Sequence, residues 1–326
     1  MERLTSSRLD VLLEEMRGIR ALVVGDLILD RYLSGEVERV SPEAPVPVVR
    51  VQSSRASVGG SGNVAANITA LGGIAHAVGC VGDDEAGRAL ADGLEDLGVL
   101  TGALVTVPGR PTTEKTRVLS LQQQIVRFDR EQEDDVSTEI EDRLISQVEW
   151  LSDSADVVIL EDYNKGVLTP RVINAVLAAA AERGIPSVAD PKRRNFFGYR
   201  GATVFKPNRK EVADALGAFV HPDDAEWMQE TRTRLGCEHL LLTLGGDGIS
   251  MKGPDGFVRI PALARSVYDV SGAGDTVTAI VALVLAAGGT ATEAALLANE
   301  AAAIEVGKAG VATVSGAELR KHLHDS

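Results

Sequence analysis

Cysteine is nearly missing from this chain: Cys80 and Cys237 are the two among 326 residues, and neither has a C-x-x-C neighbour. Neither a disulfide framework nor a cysteine zinc site is indicated, and a reducing cytoplasm is the expected compartment. Positive charge is also scarce, with 33 Lys and Arg against 47 Asp and Glu, a formal net charge of −14. A nucleic-acid groove and an anionic membrane surface both need a cationic face, so neither is expected as the main partner. No run approaches the roughly 18 apolar residues of a membrane span. The opening "MERLTSSRLDVLLEEMRGIR" alternates charges with Leu and Val and lacks the apolar stretch of a signal peptide. G-x-x-x-x-G-K-[ST], G-x-S-x-G and H-E-x-x-H do not occur, which removes a P-loop, an esterase elbow and a zincin.

What is present is Val, Ile and Leu in short runs. "ALVVGDLIL" (21–29), "VVIL" (157–160), "PSVAD" (186–190), "ATVFK" (202–206) and "HLLLTL" (239–244) read as buried strands. Segments with helical periodicity lie between them at 61–72, 84–97, 137–151, 170–183 and 222–235. Others follow "SGAGDTVTAIVALVLAAGG" and cover 292–306 and 315–324. This alternation predicts a mostly parallel sheet with helices on both faces, a three-layer α/β/α domain. Two stretches, 33–52 and 103–130, read instead as half-exposed strands with Pro and Gly turns and no helix between. They predict a small antiparallel sheet projecting as a lid, with functionless surface hairpins as the alternative. One domain over 1–326 is expected.

"DVSGAGDT" (269–276) stands just before a long apolar run. Gly272 and Gly274 permit a tight turn with exposed N–H groups, and the helix that follows adds its positive dipole end. Together they make an anion hole of the kind phosphate occupies. Asp275 is electrostatically out of place there unless it accepts a proton, as a base would while a hydroxyl attacks a γ-phosphoryl group. An Asp that merely stabilises the first turn of its helix is the competing reading, and the motif alone does not decide between them. Val277 stands where a dinucleotide fingerprint has its third glycine, so a NAD enzyme is not expected.

Together with "GGSGNVAANITALGG" (59–73), this stretch resembles the paired signatures of the ribokinase-like (PfkB) carbohydrate kinases, in the right order and about 200 residues apart. "VSPEAPVPVVRV", "EDYNKGVLTP", "ADPKRRNFFGYRGATVFKPNRKE" and "ANEAAAIEVGKAGVATVS" are similar to those members that phosphorylate D-glycero-β-D-manno-heptose 7-phosphate at O1. The resemblance implies ATP and Mg²⁺ as cofactors, and the stand-alone form of a kinase often fused to a nucleotidyltransferase. Asp275 would be the base, with the amides of Gly272, Ala273 and Gly274 stabilising the transferring group. Asn208 and Glu211, from "NRKE", would organise Mg²⁺ and its waters. Thr243, Gly245 and Gly248, from "TLGGDG", and Asn299 would line the ATP site. Asp30, Gly59, Gly60 and Asn63 would hold the sugar. Lys115, Arg117, Arg127 and Lys192 are candidates for its phosphate, with edge protection as the alternative for the lid arginines. Lys206 could face either the nucleotide or the strand end.

The sequence departs from the heptose kinases at Ser61, Gly62, Glu161 and Glu305, where small or apolar residues are usual. None removes catalytic apparatus, yet they leave room for another sugar or sugar phosphate as acceptor. A sensor without catalysis is the reading from a different class, and such a module would need no base. The Val-rich stretch 46–51 supplies an edge through which lid strands of two subunits could pair, so a homodimer is a further expectation.

Overall fold

The computed structural model describes residues 4–121, 123–263, 268–308 and 310–324. The chain runs α1 (Ser6–Glu15), β1 (Arg20–Gly25), β2 (Leu27–Val40), β3 (Pro47–Gly60), α2 (Ser61–Ala70), β4 (Ile74–Gly82), α3 (Glu85–Asp96), β5 (Leu100–Val107), β6 (Glu114–Ser120), β7 (Gln123–Arg130) and α4 (Thr138–Ser152). It continues with β8 (Val157–Glu161), α5 (Pro170–Arg183), β9 (Ser187–Asp190), β10 (Val204–Phe205), α6 (Arg209–Leu216), α7 (Ala225–Leu235), β11 (His239–Thr243), β12 (Ile249–Gly253) and β13 (Gly256–Ile260). Three helices close it: α8 (Ala273–Ala286), α9 (Ala291–Glu305) and α10 (Gly316–His324).

β1 shows why three layers form. Its residues are buried on both faces, which is why the strand reads as one apolar run. Ala21 and Val23 point into a core shared with α1, α2, α8 and α9, while Leu22 and Val24 point into another with α4, α5 and α7. The large sheet has the order β13-β12-β11-β10-β9-β8-β1-β4-β5 and is parallel up to β11, where two antiparallel strands extend it. A second sheet, β3-β2-β6-β7, is antiparallel in its outer pairs and parallel at its centre.

Two boundaries differ from the sequence reading. The run 21–29 is not one strand, because the chain leaves the large sheet at Asp26 and β2 carries it into the second sheet. Asp26 is buried and its carboxylate accepts the backbone N–H groups of Tyr163 (2.8 Å), Lys165 (3.0 Å) and Val167 (3.2 Å). The second difference concerns 103–130. Its first residues belong to β5, paired in parallel with β4, because Ala103 and Val105 pack into the core beneath the large sheet. The small sheet therefore draws on 27–40, 47–60, 114–120 and 123–130 instead.

Asp26 thus pins the loop that carries Tyr163. Burial and the neighbouring Asp162 carboxylate push its pKa up to about 6 despite those three donors. Asp26→Ala would leave three donors without their acceptor, and is expected to cost about 3 kcal/mol or more. A lowered urea midpoint with an unchanged m-value is the measurement that checks it.

Candidate active site

The mouth of α8 is built around one obligatory glycine. Gly272 caps the helix at φ 97°, and a Cβ there would come within 2.9 Å of Asn63 Nδ2. Gly274 is less constrained than the sequence reading supposed: a Cβ there would meet only Lys206 Nζ at 3.6 Å, an ordinary contact. The N–H groups of the first turn have no partner within the helix, so they remain available to an anion.

Asp275 lies in that first turn and is buried. One carboxylate oxygen accepts a hydrogen bond from Asn63 Nδ2 at 2.7 Å, the other from the Tyr163 hydroxyl at 2.7 Å. Asn63 is itself steadied from the next turn of α2, where Asn67 Nδ2 donates to its carbonyl at 3.0 Å. Burial raises the Asp275 pKa, the two donors oppose that, and the net shift is upward. A carboxylate shifted this way is a better proton acceptor while remaining within reach of its ionised form.

Three buried acids meet here. Glu161 at the end of β8, Asp190 at the end of β9 and Asp275 each offer an oxygen within 4.8 Å of the others. Two ammonium groups face them: Lys206 Nζ is 2.8 Å from Asp190, and Lys192 Nζ is 3.3 Å from Asp190 and 2.7 Å from Glu211. Burial alone would raise Asp190, but the two lysines outweigh it and hold its pKa below the usual value. Glu161 is the group that gives way. Among the described residues no donor reaches its oxygens, and burial together with Asp190 and Asp275 raises it well above the usual carboxylate range. Tyr163 crosses the same space, its ring 5.6 Å from Lys115 Nζ and 5.2 Å from Lys192 Nζ.

On one side of Asp275 lies a cavity of about 310 Å³. Asn208, Thr243, Gly245, Gly248 and Asn299 line it, together with Ala273 and Gly274, so five residues proposed from scattered motifs share one pocket. Ile249, Leu263, Val277 and Val306 give it apolar walls of the kind a flat heterocycle fits. Asn299 is no surface amide, since it is buried and donates to the Pro261 carbonyl at 2.9 Å. "NRKE" forms a capping box at α6: Asn208 Oδ1 accepts from the Glu211 N–H at 2.9 Å, and Glu211 accepts from the Asn208 N–H at 2.8 Å. Glu211 is not among the residues lining the cavity.

The small sheet lies on the other side. Asp30 is buried on β2 and paired with Arg117 of β6. Gly59 leaves room for it, because a Cβ there would stand 2.3 Å from Asp30 Oδ2. Gly60 caps α2, and Asn63, three residues on in the first turn, donates to Asp275. Arg127, half-exposed, pairs with Asp129 at 3.0 Å. Of the four cations proposed for a substrate phosphate, Lys115 is the one without a carboxylate in ion-pair range among the described residues; burial lowers its pKa.

A model described as pfkB family carbohydrate kinase matches residues 19–317. The chain belongs to this family. It is an ATP-dependent carbohydrate kinase. Among curated relatives, the bifunctional protein HldE of Rhodopseudomonas palustris is 44% identical over 322 residues, covering 97% of this chain and 66% of that protein. The HldE of Trichlorobacter lovleyi is 45% identical over 305 residues, 92% of this chain and 62% of that one. The chain therefore spans slightly less than two thirds of these relatives' length. Among solved structures, Arabidopsis thaliana ribokinase complexed with ribose and ATP aligns with TM-score 0.73 and 21% identity, over 95% of this chain and all of that one. Escherichia coli phosphofructokinase-2 in complex with fructose-6-phosphate gives 0.76 and 20%, over 94% and 99%. At such identities the likeness shows the ribokinase-like fold.

Sequence reasoning missed Tyr163 and Asp190 as parts of this candidate site. Both stand at strand ends, "LEDY" and "VADPK", and the carboxyl ends of parallel strands are where ligands gather. Of its two readings Lys206 takes the strand-end one: it pairs with Asp190 at the end of β9, close to the helix mouth, and is not among the residues lining the cavity. Glu305, noted as a departure, is fully buried beside Gly272, and a Cβ on that glycine would be 3.2 Å from its Oε1.

Burial, then Asp275 and Asp269, lift the Glu305 pKa from 4.5 to about 8. The folded state then binds the extra proton, so stability is fully present below the unfolded pKa and falls as pH rises through that window. Glu305→Gln, which cannot ionise, is expected to gain melting temperature relative to the parent as pH goes from 5 to 8. Thermal melts at both pH values check this, and a difference that does not change with pH rejects it.

Proposed function

We propose that this kinase transfers the γ-phosphoryl group of ATP to O1 of D-glycero-β-D-manno-heptose 7-phosphate, giving the 1,7-bisphosphate. The observation that carries the reading is Asp275, a buried carboxylate held by two donors between the 310 Å³ cavity and the Asp30 side of the small sheet. A binding-only module would have no use for it. The heptose acceptor is supported by the extended motif likeness and by relatives at 44% identity. That the acceptor carries a phosphate is supported by Lys115, a cation left without an acidic partner near the base.

In this reading Asp30 orients sugar hydroxyls, and Gly59, Gly60 and Asn63 frame the same pocket. Asp275 takes the proton as the acceptor oxygen bonds to phosphorus and the bridging bond to ADP breaks. The amides of Gly272, Ala273 and Gly274, with Lys206 behind them, stabilise the charge that moves, each such donor typically contributing a few kcal/mol (~3). Oxygen donors suit Mg²⁺, and Asn208 and Glu211 supply them beside the nucleotide cavity. Glu211 is already bonded to Lys192 and the Asn208 N–H, so it would act through water. Mg²⁺ held there would neutralise phosphate charge. The small sheet, acting as a lid, would exclude water from the reacting oxygen.

Asp275→Asn is expected to lower kcat by about 10²-fold or more with KM values little changed, because the base acts mainly in the transition state. ADP release measured against heptose 7-phosphate, fructose phosphates, ribose and nucleosides tests both parts. Near-normal turnover by the variant rejects the base, and preference for another acceptor rejects the heptose.

We further propose a homodimer through the small sheet. β3 is its edge strand, with Val51 exposed, and Val126 and Phe128 are exposed on the face turned away from Asp30. Sedimentation velocity is expected to give a dimer that Phe128→Glu converts to monomer; a monomeric parent overturns it.

A further inference from the structure

We infer that Arg55, a residue no motif singles out, is the residue that makes this kinase select an acceptor bearing a phosphate. The inference rests on the reading above that the acceptor is a sugar phosphate, and extends it to the side chain that recognises the anion.

The cross-strand register puts Arg55, Tyr32, Arg117 and Arg127 in one row across β3, β2, β6 and β7, on a single face of the small sheet. The adjacent row on that face is Ser57, Asp30, Lys115 and Asp129. This face looks toward the base, because Lys115 lies over Tyr163, whose hydroxyl is bonded to Asp275. Two of the row's three guanidiniums are already neutralised, Arg117 by Asp30 and Arg127 by Asp129. Arg55 has no carboxylate in ion-pair range among the described residues.

Its position is nevertheless fixed. The guanidinium lies 4.7 Å from the centre of the buried Tyr32 ring, with Arg117 at 5.3 Å from the same ring. Arg55 Nη2 also rests against Gly310 of the segment after α9, where a Cβ would come within 3.1 Å. Two like charges flanking one ring repel each other, and only one has a counter-ion. A planar fork stacked on an aromatic face retains its donors for a bidentate partner, and a phosphate dianion matches that geometry. Asp30 beside it would take sugar hydroxyls, so hydroxyl and phosphate recognition would sit in neighbouring rows. Because Arg55 also touches the 306–314 segment, an anion held there would tie the small sheet to the main domain.

The test is calorimetric titration of the full chain, without nucleotide, using D-glycero-β-D-manno-heptose 7-phosphate and the same heptose without its phosphate. The parent should bind the phosphate ester tenfold or more tightly, about what one charge-assisted bidentate contact contributes. Arg55→Met, which keeps the stem over Tyr32, should lose most of that preference and bind the plain heptose within about threefold of the parent, and Arg55→Lys should retain part of it. Unchanged melting temperatures show that the variants fold. The inference fails if Arg55→Met keeps the preference, if it weakens both ligands equally, or if the parent does not distinguish them. Preference lost in Arg55→Met, together with no ADP release from the parent, would uphold Arg55 and reject the proposed reaction.

Discussion

Everything at this site follows from holding one carboxylate buried between two donors. Asp275 sits where a helix dipole, Asn63 and Tyr163 all favour the anion, while burial and two further acids disfavour it. Asp190 holds two lysines, which keep its pKa below the usual value, while Glu161, which no donor among the described residues reaches, is raised well above it. Three acids facing two ammonium groups can approach neutrality with one proton. A proton on Glu161 would leave Asp275 as the carboxylate that its two donors favour.

The two sheets divide the labour around that carboxylate. β1, β8, β9 and β10 end at the same level, and their ends deliver Glu161, Asp190 and Lys206, the last just past β10. The strand-to-strand spacing of a parallel sheet thus sets the distances within the cluster, and two packed cores keep the spacing fixed. The small sheet sets Asp30, Lys115 and the arginine row on one of its faces. Asp26 joins the systems, since the chain crosses from one sheet to the other there and its side chain holds the Tyr163 loop.

The parallel sheet was legible because each central strand is apolar on both faces, and helical periodicity marked 170–183, which the structure shows capped by Thr169 and ended by Gly184. The cavity beside α8 left a trace in the letters too, since residues named from the glycine turn and the N-x-x-E element line it together. What the letters hid was pairing. Arg117 and Arg127 read as available cations, and only the fold shows that each already has an acid. Strand 103–107 was misassigned for a related reason: half-exposed alternation looks the same at the edge of a large sheet as in a small one.

That distinction bears on how acceptor choice could change within this fold. Replacing an arginine that neutralises a buried acid leaves the acid alone in a medium that cannot solvate it, so stability is lost before specificity can shift. Arg117 is constrained in that way by Asp30, which is buried. Arg55 is exposed and has no such partner among the described residues, so substitution there would come at little structural cost. The positions best able to diverge are therefore the unpaired cations of the arginine face. A buried addition such as Glu161 would be tolerated by a different route: burial and its acidic neighbours raise its pKa well above the usual range, and a carboxyl that keeps its proton adds volume and polarity without adding charge.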